Sequence, residues 1–477
     1  MSAPLIWIGL PAVAAVVLFS LRRWYRSTII AGVAIALLLG VLALLLPIDE
    51  FARLGPWTFK VSSTLNLLGR RMVLTNLDRP LLAATYLLAA FWFAAAYAAQ
   101  AGRNFVPLGL LITAALVAAS AVEPFLYAAL LIELAVLVSV PILAAPGRPT
   151  GRGVLRFLTY QSLGMPFILL TGWMLTGVEA SPGELALITR SITLLAFGFL
   201  LLLAIFPFHS WMPMLGEEAH PYPAAFVFLM LPWMVTLFGL GFLHRYSWLR
   251  NASGLAELLQ MAGLLLVLAG GAWAAFQRHL GRMLAYAVMV ETGLSLLALS
   301  LPGGLTLHFA MLMPRSAALG VWALALSRLR AAQKLSPPTD LSFEAVRGLG
   351  RRLPIAAGSL VLAHFSVAGL PLLAGFPVRL ALWRELSGQN GLVAALVLLG
   401  SVGLLAGGLR TLAVLVASPQ QESQESIQSG RLLRQPVQVF LTVGALVLLL
   451  IGLMPQWFLP AIAGIAEAFG GLSIPGP

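Results

Sequence analysis

The chain contains 477 residues, of which 60% are hydrophobic and only 10% are charged, and its mean hydropathy is +0.95. Soluble domains carry about 25% charged residues, so this composition excludes an ordinary soluble domain and predicts a membrane protein with many spans. The formal net charge of +12 does not indicate nucleic acid binding, because Lys and Arg concentrate in alternate loops. The sequence has no cysteine, which excludes disulfides, thiolate metal sites and cysteine-ligated iron–sulfur clusters.

Apolar runs long enough to cross a bilayer recur along the whole chain. The first run has no charge before Arg22 and no small-residue cleavage site after it, so we interpret it as a retained helix and not as a signal peptide. The predicted fold class is an all-α polytopic membrane protein. We count about fourteen predicted spans, at 4–21, 28–47, 80–100, 105–122, 124–145, 155–177, 190–213, 223–243, 255–276, 281–301, 304–327, 354–388, 391–417 and 436–456.

The distribution of positive charge predicts the orientation of these spans. Odd-numbered loops hold roughly twice as many Lys and Arg residues as even-numbered loops, which places them in the cytoplasm by the positive-inside rule. Both termini are then expected on the non-cytoplasmic side of the cell inner membrane. The second loop, 48–79, fits this rule least well, because it contains five basic residues. We expect 48–79, 328–353 and 418–435 to be interhelical loops, each with room for a short surface helix.

Two of the predicted spans contain internal prolines beside small or aromatic residues. The first is interrupted at Phe206-Pro207, within LLLLAIFPFHSWMP at 200–213, and the second within AGLPLLAGFP at 368–377. Proline breaks the helical hydrogen-bond ladder, which membrane proteins tolerate where the backbone lines a cavity or is buried in protein. Two broken helices five spans apart favour internally repeated halves around a site near the midplane. The alternative is a pair of kinks without functional consequence.

Ionisable residues within predicted spans are candidates for function, because the membrane interior strongly disfavours charge. Glu133 lies at the middle of span five and Glu291 about halfway along span ten. Arg315 follows a proline in span eleven, and Arg379 follows the proline-containing segment of span twelve. For Glu133 the alternative role is a hydrogen-bonding contact between helices.

Histidine provides a second set of candidates, because its charge changes near neutral pH. His209 ends the FPFH run near the membrane boundary. Two glutamates at 217–218 and His220 follow it, so this region resembles the mouth of a polar pathway. His308 and His364 lie inside spans, where a lone histidine is more often a hydrogen-bonded packing residue.

Lysine is confined to loops. The chain has only Lys60 and Lys334, and neither lies in a predicted span. A buried lysine can lose its proton, whereas an arginine keeps its proton in proteins. Arg315 and Arg379 are therefore expected to supply fixed charge and to be poor proton carriers.

Several separate stretches resemble the antiporter-like membrane subunits of respiratory complex I, a family shared with Mrp-type cation/proton antiporters and membrane-bound hydrogenases. They resemble, in order, the family's broken seventh helix, its proline-x-proline segment, its basic entry into the tenth helix, its arginine-glycine-leucine-glycine loop and its broken twelfth helix. The stretches are FPFHSWMP at 206–213, GEEAHPYPAA at 216–225, QRHLGRMLAYAVMVETG at 277–293, FEAVRGLGRRLP at 343–354 and SVAGLPLLAGF at 366–376.

The resemblance implies a fold of fourteen helices with two inverted five-helix repeats, spans four to eight and spans nine to thirteen, in which helices seven and twelve are broken. The PRSAALGV stretch at 314–321 is most similar to the shorter, quinone-proximal member of the family. The implied division of the chain is an N-terminal three-helix region, a first repeat, a second repeat, and a final helix with its tail. These regions correspond to 1–104, 105–243, 255–417 and 436–477.

The resemblance also implies a proton pathway, because family members are thought to conduct protons along a central chain of buried charged groups. Glu133 matches the fifth-helix glutamate of that chain. Leu202 and Met234 occupy positions where the family has lysines. Glu291 stands where the family has a histidine, and Arg379 where it has a lysine or glutamate.

Three functions follow from this comparison. In the first, the chain is a membrane-arm subunit of a complex I-like proton pump, in which Glu133, Glu291 and waters carry charge while Arg379 biases their protonation. In the second, it is a degenerate, non-conducting subunit that keeps the fold for structural continuity. The third, a stand-alone cation/proton transporter, is disfavoured because the sequence shows no distinct polar cluster for binding a solute.

The chain is not expected to carry redox chemistry of its own. It has no nucleotide-binding glycine fingerprint, and the resemblance implies neither a cofactor nor a metal in this subunit. The expected partners are other membrane-arm subunits, the redox subunits of the same assembly and the lipid bilayer.

Overall fold

A computed structural model describes residues 2–54, 57–67, 69–144, 150–180, 185–252, 254–333, 340–418, 431–458, 465–466 and 469. Helices dominate this part of the chain, and the predicted apolar segments all fall on helices or helix pairs. Among the described residues, eight helices are long and apolar enough to cross a membrane, and five shorter apolar helices accompany them. The chain is therefore a multi-pass helical membrane protein.

The first half of the chain begins with a π-helical turn, Leu5–Gly9, that continues directly into α1. Its helices are α1 (Leu10–Ser20), α2 (Tyr25–Leu45), α3 (Arg79–Ala94), α4 (Ala96–Ala99), α5 (Phe105–Ala121), α6 (Ala128–Leu143), α7 (Arg152–Ala180), α8 (Leu185–Leu202), α9 (Trp211–Glu218) and α10 (Pro221–Arg245).

The second half of the chain follows after a short surface helix. Its helices are α11 (Ser247–Arg250), α12 (Leu255–Phe276), α13 (Leu280–Leu299), α14 (Leu305–Ala310), α15 (Leu312–Ala332), α16 (Phe343–Val346), α17 (Leu349–Arg352), α18 (Pro354–Ala368), α19 (Phe376–Gln389), α20 (Gly391–Val416) and α21 (Arg431–Leu453). Short 3₁₀ helices occur at Asn76–Asp78, Phe125–Tyr127 and Pro455–Trp457.

The polar segment 48–79 differs from the prediction, because half of its residues form β-strands. Its four strands are β1 (Phe51–Leu54), β2 (Trp57–Lys60), β3 (Thr64–Leu67) and β4 (Arg70–Val73). β1 pairs antiparallel with β2, and β3 pairs antiparallel with β4, which also pairs with β5 (Val122–Glu123). Gly69 precedes β4 with a φ of 72°, a conformation that favours glycine and suits a tight hairpin.

The other two polar segments agree with expectation as far as they are described. The segment 328–353 contains the end of α15 and the short helices α16 and α17, while 334–339 lies outside the described residues. Of the segment 418–435, residues 419–430 lie outside the described part of the chain, as does most of the tail that follows 458.

Both proline-containing spans are interrupted where the sequence predicts. The first break comprises residues 203–210, between the end of α8 and the start of α9. The second break comprises residues 369–375, between α18 and α19. The first span extends further than predicted, since α9 continues five residues beyond 213, to Glu218.

α10 and α13 form the centre of the described structure. Nearly every side chain of both helices is buried, and the two helices contact each other. α10 also packs against α5, α6 and α15, whereas α13 packs against α12, α15, α18 and α20. α10 and α13 thus join the first half of the chain to the second.

Candidate functional site

Three of the predicted ionisable residues meet in one buried cluster. Glu291 of α13 accepts a hydrogen bond from Arg315 Nε of α15 at its Oε2, at 3.0 Å. Arg379 Nη2 of α19 donates to the other carboxylate oxygen, Oε1, at 2.7 Å. The relative exposures of Glu291, Arg315 and Arg379 are only 6%, 7% and 2%. We call these three residues the buried cluster.

Serine and backbone groups complete the hydrogen bonding of the buried cluster. Arg379 Nη1 donates to Ser401 Oγ of α20 at 3.1 Å. Arg315 Nη2 donates to the backbone carbonyl of Glu291 and to Ser295 Oγ. One carboxylate and two guanidinium groups leave one positive charge in excess. Because buried charges need such partners to offset their lost hydration, removing any one partner is expected to weaken the whole arrangement.

The second break positions Arg379 within the buried cluster. α18 ends with Gly369 at a φ of 83°, and the amides of Gly369 and Leu370 donate to the carbonyls of Ser366 and Phe365. A Cβ atom at Gly369 would lie 2.7 Å from Arg379 Cδ. Glycine is therefore required here both for the left-handed turn and for the close approach of Arg379.

A small cavity of about 10 Å³ lies beside the buried cluster. Its wall includes Glu291, Arg315, Arg379 and Ser366, and a cavity of this size is at the lower limit for holding about one water molecule. Ser366 Oγ also accepts a hydrogen bond from the backbone amide of Gly375 in the second break, at 3.2 Å.

Glu133 lies apart from the buried cluster, on α6 in the first half of the chain. Its Oε1 accepts a hydrogen bond of 2.5 Å from Ser162 Oγ of α7. Its Oε2 is buried and has no hydrogen-bond partner among the described residues. Glu133 therefore makes the helix–helix contact that the sequence suggested as its alternative role, and it keeps one buried oxygen without a partner.

Apolar side chains fill both positions where the resemblance expects lysine. Leu202 and Met234 are buried, and Leu202 packs closely on α7, since a Cβ at Gly164 would lie 3.0 Å from its Cδ2. Gln161, beside Ser162 on α7, donates from Nε2 to the Leu202 carbonyl at 3.1 Å. Met234 lies on α10, the helix that separates α6 from α13.

His209 lies at the first break and not in the buried cluster. It is half-buried, and its ring stacks on Phe206 with centroids 5.3 Å apart. Of the predicted polar residues near it, Glu217 pairs with Arg282, and Glu218 accepts from the Gly153 amide at 2.7 Å. These carboxylates hold helices together, and the predicted polar pathway at His209 stays a prediction.

Several residues near the buried cluster were missed or ranked low by sequence reasoning. Ser295 and Ser401 are ordinary buried serines, and no pattern in the sequence marks them as arginine partners. His308 stacks on Trp233 of α10 with centroids 5.4 Å apart, and both of its ring nitrogens lack a hydrogen-bond partner among the described residues. His364 stacks on Trp322, and its Nε2 donates to the Leu404 carbonyl at 2.9 Å.

The fold and the buried cluster define a multi-pass helical membrane protein with two broken helices and paired charges between apolar helices. A family model for the membrane part of NADH:quinone oxidoreductases and Mrp antiporters matches residues 174–404, which include both breaks and the buried cluster. Over these residues, a little under half of its length, the chain is similar to this family of antiporter-like membrane subunits.

Comparison with individual proteins agrees with this similarity. The chain is 27% identical over 283 residues to NADH-quinone oxidoreductase subunit N of Deinococcus radiodurans, an alignment that covers 58% of this chain and 55% of that protein. The matched part thus spans about half the length of this curated relative.

Solved structures show the same fold. One chain of the membrane-bound sulfane sulfur reductase, an archaeal respiratory membrane complex, matches with a TM-score of 0.78 at 18% identity, covering 99% of this chain and 98% of that chain. A chain of respiratory complex I from Thermus thermophilus matches with a TM-score of 0.72 at 22% identity, covering 96% of this chain and 99% of that chain.

Proposed function

We propose that this protein is a membrane-arm subunit of a complex I-like, redox-driven proton pump, and that it contributes to proton translocation through an altered charged axis. Its partners would be other membrane-arm subunits and the redox subunits that oxidise the electron donor. The match to the family model and the likeness to NADH-quinone oxidoreductase subunit N support this role. In this proposal the chain itself transfers no electrons.

The observation that carries the proposal is the buried cluster of Glu291, Arg315 and Arg379. Charged groups at such depth are costly and mark ion or proton pathways in membrane proteins. Arginine keeps its proton, so Glu291 is the member that can change protonation. While both arginines contact it, the carboxylate is held ionised; opening of either contact would allow it to accept a proton.

The second break gives the buried cluster a means of opening. Arg379 follows the break on α19, whereas Glu291 and Arg315 lie on α13 and α15. A displacement of α19 relative to α18 would therefore separate Arg379 from Glu291 without disturbing the contact with Arg315. Ser366 and the small cavity lie beside the carboxylate at the point where a proton would arrive.

The first half would take a smaller part in this mechanism. Glu133 has one oxygen without a described partner, but Leu202 and Met234 supply no protonatable group near it. In the proposed pathway, protons reach Glu133 and leave it by way of water, while the main change of charge occurs at Glu291. His209 is proposed as part of the access route.

The proposed organisation follows the family. It has fourteen spans with inverted repeats at 105–243 and 255–417, flanked by an N-terminal region at 1–104 and a C-terminal region at 436–477. Two breaks five spans apart support the repeats. We place the protein in the cytoplasmic membrane with both termini on the non-cytoplasmic side, following the positive charge of the odd-numbered loops.

A non-conducting structural subunit of the same assembly is the second candidate. The close packing of Leu202 on α7 favours it, because the first half then lacks a proton carrier next to Glu133. A stand-alone cation/proton transporter is less favoured, because the buried cluster has an excess of positive charge and no free carboxylate to receive a cation.

Proton flux in proteoliposomes that contain the assembled enzyme distinguishes these candidates. We expect Glu291→Gln to reduce flux strongly, because the amide can neither lose nor gain a proton. Glu257→Gln, at an exposed glutamate on α12, provides the matched control. Flux in the Glu291→Gln enzyme equal to that of the control would contradict the proposal and support the structural subunit.

A further inference from the structure

The short helix α9 and the residue that follows it contact four other helices of the molecule. The helix has only eight residues and directly follows the first break. α9 packs against α7 and α10 of the first half and α13 of the second half, and Ala219, which directly follows α9, contacts α15. α13 carries Glu291 and α15 carries Arg315. The segment formed by α9 and Ala219 therefore contacts both of the helices whose side chains form the Glu291–Arg315 ion pair.

On the α13 side, α9 makes a backbone contact and an ion pair. Gly216 and Gly281 face each other so closely that a Cβ at Gly216 would lie 2.5 Å from the Gly281 carbonyl oxygen. In the next residues, Arg282 donates to Glu217 Oε2 through Nε, at 2.7 Å, and through Nη2. Both side chains of the pair are 39% exposed. Two adjacent positions thus fix the start of α13 against α9.

On the α15 side, the contact lies at the end of α9. Arg330 Nη1 donates to the carbonyl of Ala219, the residue after the last turn of α9, at 2.9 Å. Unpaired carbonyls at a helix C-terminus attract cations, so this contact is favourable electrostatically as well as by hydrogen bonding. Arg330 lies in the last turn of α15, the helix that carries Arg315.

On the α7 side, α9 is fixed to the first half. The Gly153 amide donates to Glu218 Oε2 at 2.7 Å, and a Cβ at Gly153 would lie 2.6 Å from the Leu215 amide nitrogen. Trp211, at the start of α9, is buried against Phe157 of α7 and Phe228 of α10. α9 is therefore held by backbone-level contacts with both α7 and α13.

We propose that α9 is a positioning element that sets the placement of α13 relative to α15, and thereby the geometry of the Glu291–Arg315 ion pair. Contacts made at backbone distance leave no room for α9 to shift independently of α13. A displacement at the first break would therefore reach the buried cluster through Glu217–Arg282 and Arg330. The effect of such a displacement on proton transfer rests on the proposed function. The coupling of α9 to α13 and α15 does not depend on that function.

A single introduced thiol can report the state of the buried cluster. The chain contains no cysteine, so Ala318→Cys adds one reactive group in the wall of the small cavity beside Glu291 and Arg315. Ala318 is 1% exposed, so a small methanethiosulfonate reagent reaches the thiol only when the helices open locally. The modification rate is measured in native membranes that contain the assembled enzyme, without turnover.

Loosening α9 is expected to accelerate this reaction. Glu217→Gln removes the ion pair with Arg282 and should raise the modification rate by about two- to fivefold, the range expected for a partly exposed ion pair. Exchanging the charges, with Glu217→Arg and Arg282→Glu together, should restore the original rate. The control Glu257→Gln, which removes an exposed carboxylate from α12, should leave the rate unchanged.

Two outcomes would overturn the proposal. One is a modification rate in the Glu217→Gln protein equal to that of the Glu257→Gln control. The other is acceleration that the exchanged charges fail to reverse, since general loosening of the fold would produce it. The thiol rate does not depend on proton flux, so loss of the proposed pumping function would leave this readout intact.

Discussion

The first and second breaks both interrupt an apolar helix close to a proline, yet their surroundings are chemically opposite. At the first break, Leu202 ends α8 and packs on α7, while Glu133 has only Ser162 as its described partner. At the second break, Arg379 begins a buried network that continues through Glu291 to Arg315. Each half thus contains a broken helix. Among the described residues, however, buried ion pairs occur only around the second break.

This contrast separates the role of a broken helix from the role of the charges near it. The first break supplies α9, which holds the ends of α13 and α15 together. The second break supplies the turn that brings Arg379 to Glu291. In this account the first break serves mainly to position helices, and the second break serves mainly to bring charged groups together.

The largest predicted effect is loss of stability when the buried cluster loses an arginine. Arg379→Gln leaves the network incomplete, and breaking a buried pair by removing one partner typically costs about 3–5 kcal/mol. Glu133→Gln in the first half should change stability by less than about 1 kcal/mol, because a glutamine can still accept from Ser162. Chemical denaturation of the purified protein measures both values. The contrast fails if Arg379→Gln is no more destabilising than Arg384→Gln, at an exposed position of the same helix.

Introducing lysine into the first half is expected to have the next largest effect. Leu202→Lys places a cation in a closely packed apolar site and should cost about 2–4 kcal/mol, whereas Leu202→Met should cost less than about 1.5 kcal/mol. If lysine at this position pairs with Glu133, the cost grows by about 1 kcal/mol when Glu133→Gln is also present. Additive effects in this double-mutant cycle would show that position 202 does not interact with Glu133.

A smaller effect is expected at the glycine that ends α18. Gly369→Ala forces a left-handed residue to carry a Cβ and should destabilise by about 1–2 kcal/mol. It should also weaken the Arg379–Glu291 contact, because the new methyl group would lie 2.7 Å from Arg379 Cδ. Gly358→Ala in the same helix is the control, since a Cβ there meets no atom within 4 Å. Equal stability of the two variants would contradict this role of the second break.

The sequence predicted the buried ionisable residues and the two breaks, but it did not predict which of these residues pair with each other. Glu291, Arg315 and Arg379 were each identifiable as ionisable residues in apolar runs, and the prolines marked both breaks. The pairing joins residues 24 and 88 positions apart, and helical periodicity does not specify which faces of α13, α15 and α19 meet. The serines that complete the network carry no signal in the sequence.

The polar segment 48–79 shows a second limit of sequence reasoning. In a chain dominated by apolar helices, strands of four residues are too short to give a clear alternating pattern. Gly55-Pro56 and Gly69 are turn signals in this sequence, but they do not show which residues pair as strands. The left-handed conformation of Gly69 becomes evident in the structure.

The smallest predicted effect concerns pH and the start of α13. His279 Nδ1 accepts from the Gly281 amide at 3.2 Å, and its Nε2 lies 3.0 Å from Asp340 Oδ1. Burial lowers the pKa of His279 below its ordinary value near 6.5, although Asp340 acts in the opposite direction. Because protonation is then harder in the folded state, stability should be constant above about pH 6.5 and decrease as the pH falls below it.

Replacing His279 by a residue that caps without titrating tests this expectation. Asn accepts hydrogen bonds at helix N-termini, so His279→Asn should keep α13 capped and reduce the loss of stability between about pH 6.5 and pH 5. Thermal unfolding across this pH range provides the measurement. An identical pH dependence in the variant and the original protein would exclude His279 as its source.

The number of protons translocated per electron, measured in the assembled enzyme, tests the central contrast most directly. Glu291→Gln and Glu133→Gln are compared at equal electron-transfer rates, with Glu257→Gln as the reference. If the second half carries the main change of charge, Glu291→Gln lowers the ratio markedly and Glu133→Gln lowers it less. An unchanged ratio in the Glu291→Gln enzyme, or a larger loss from Glu133→Gln, would contradict the assignment of proton transfer to the buried cluster.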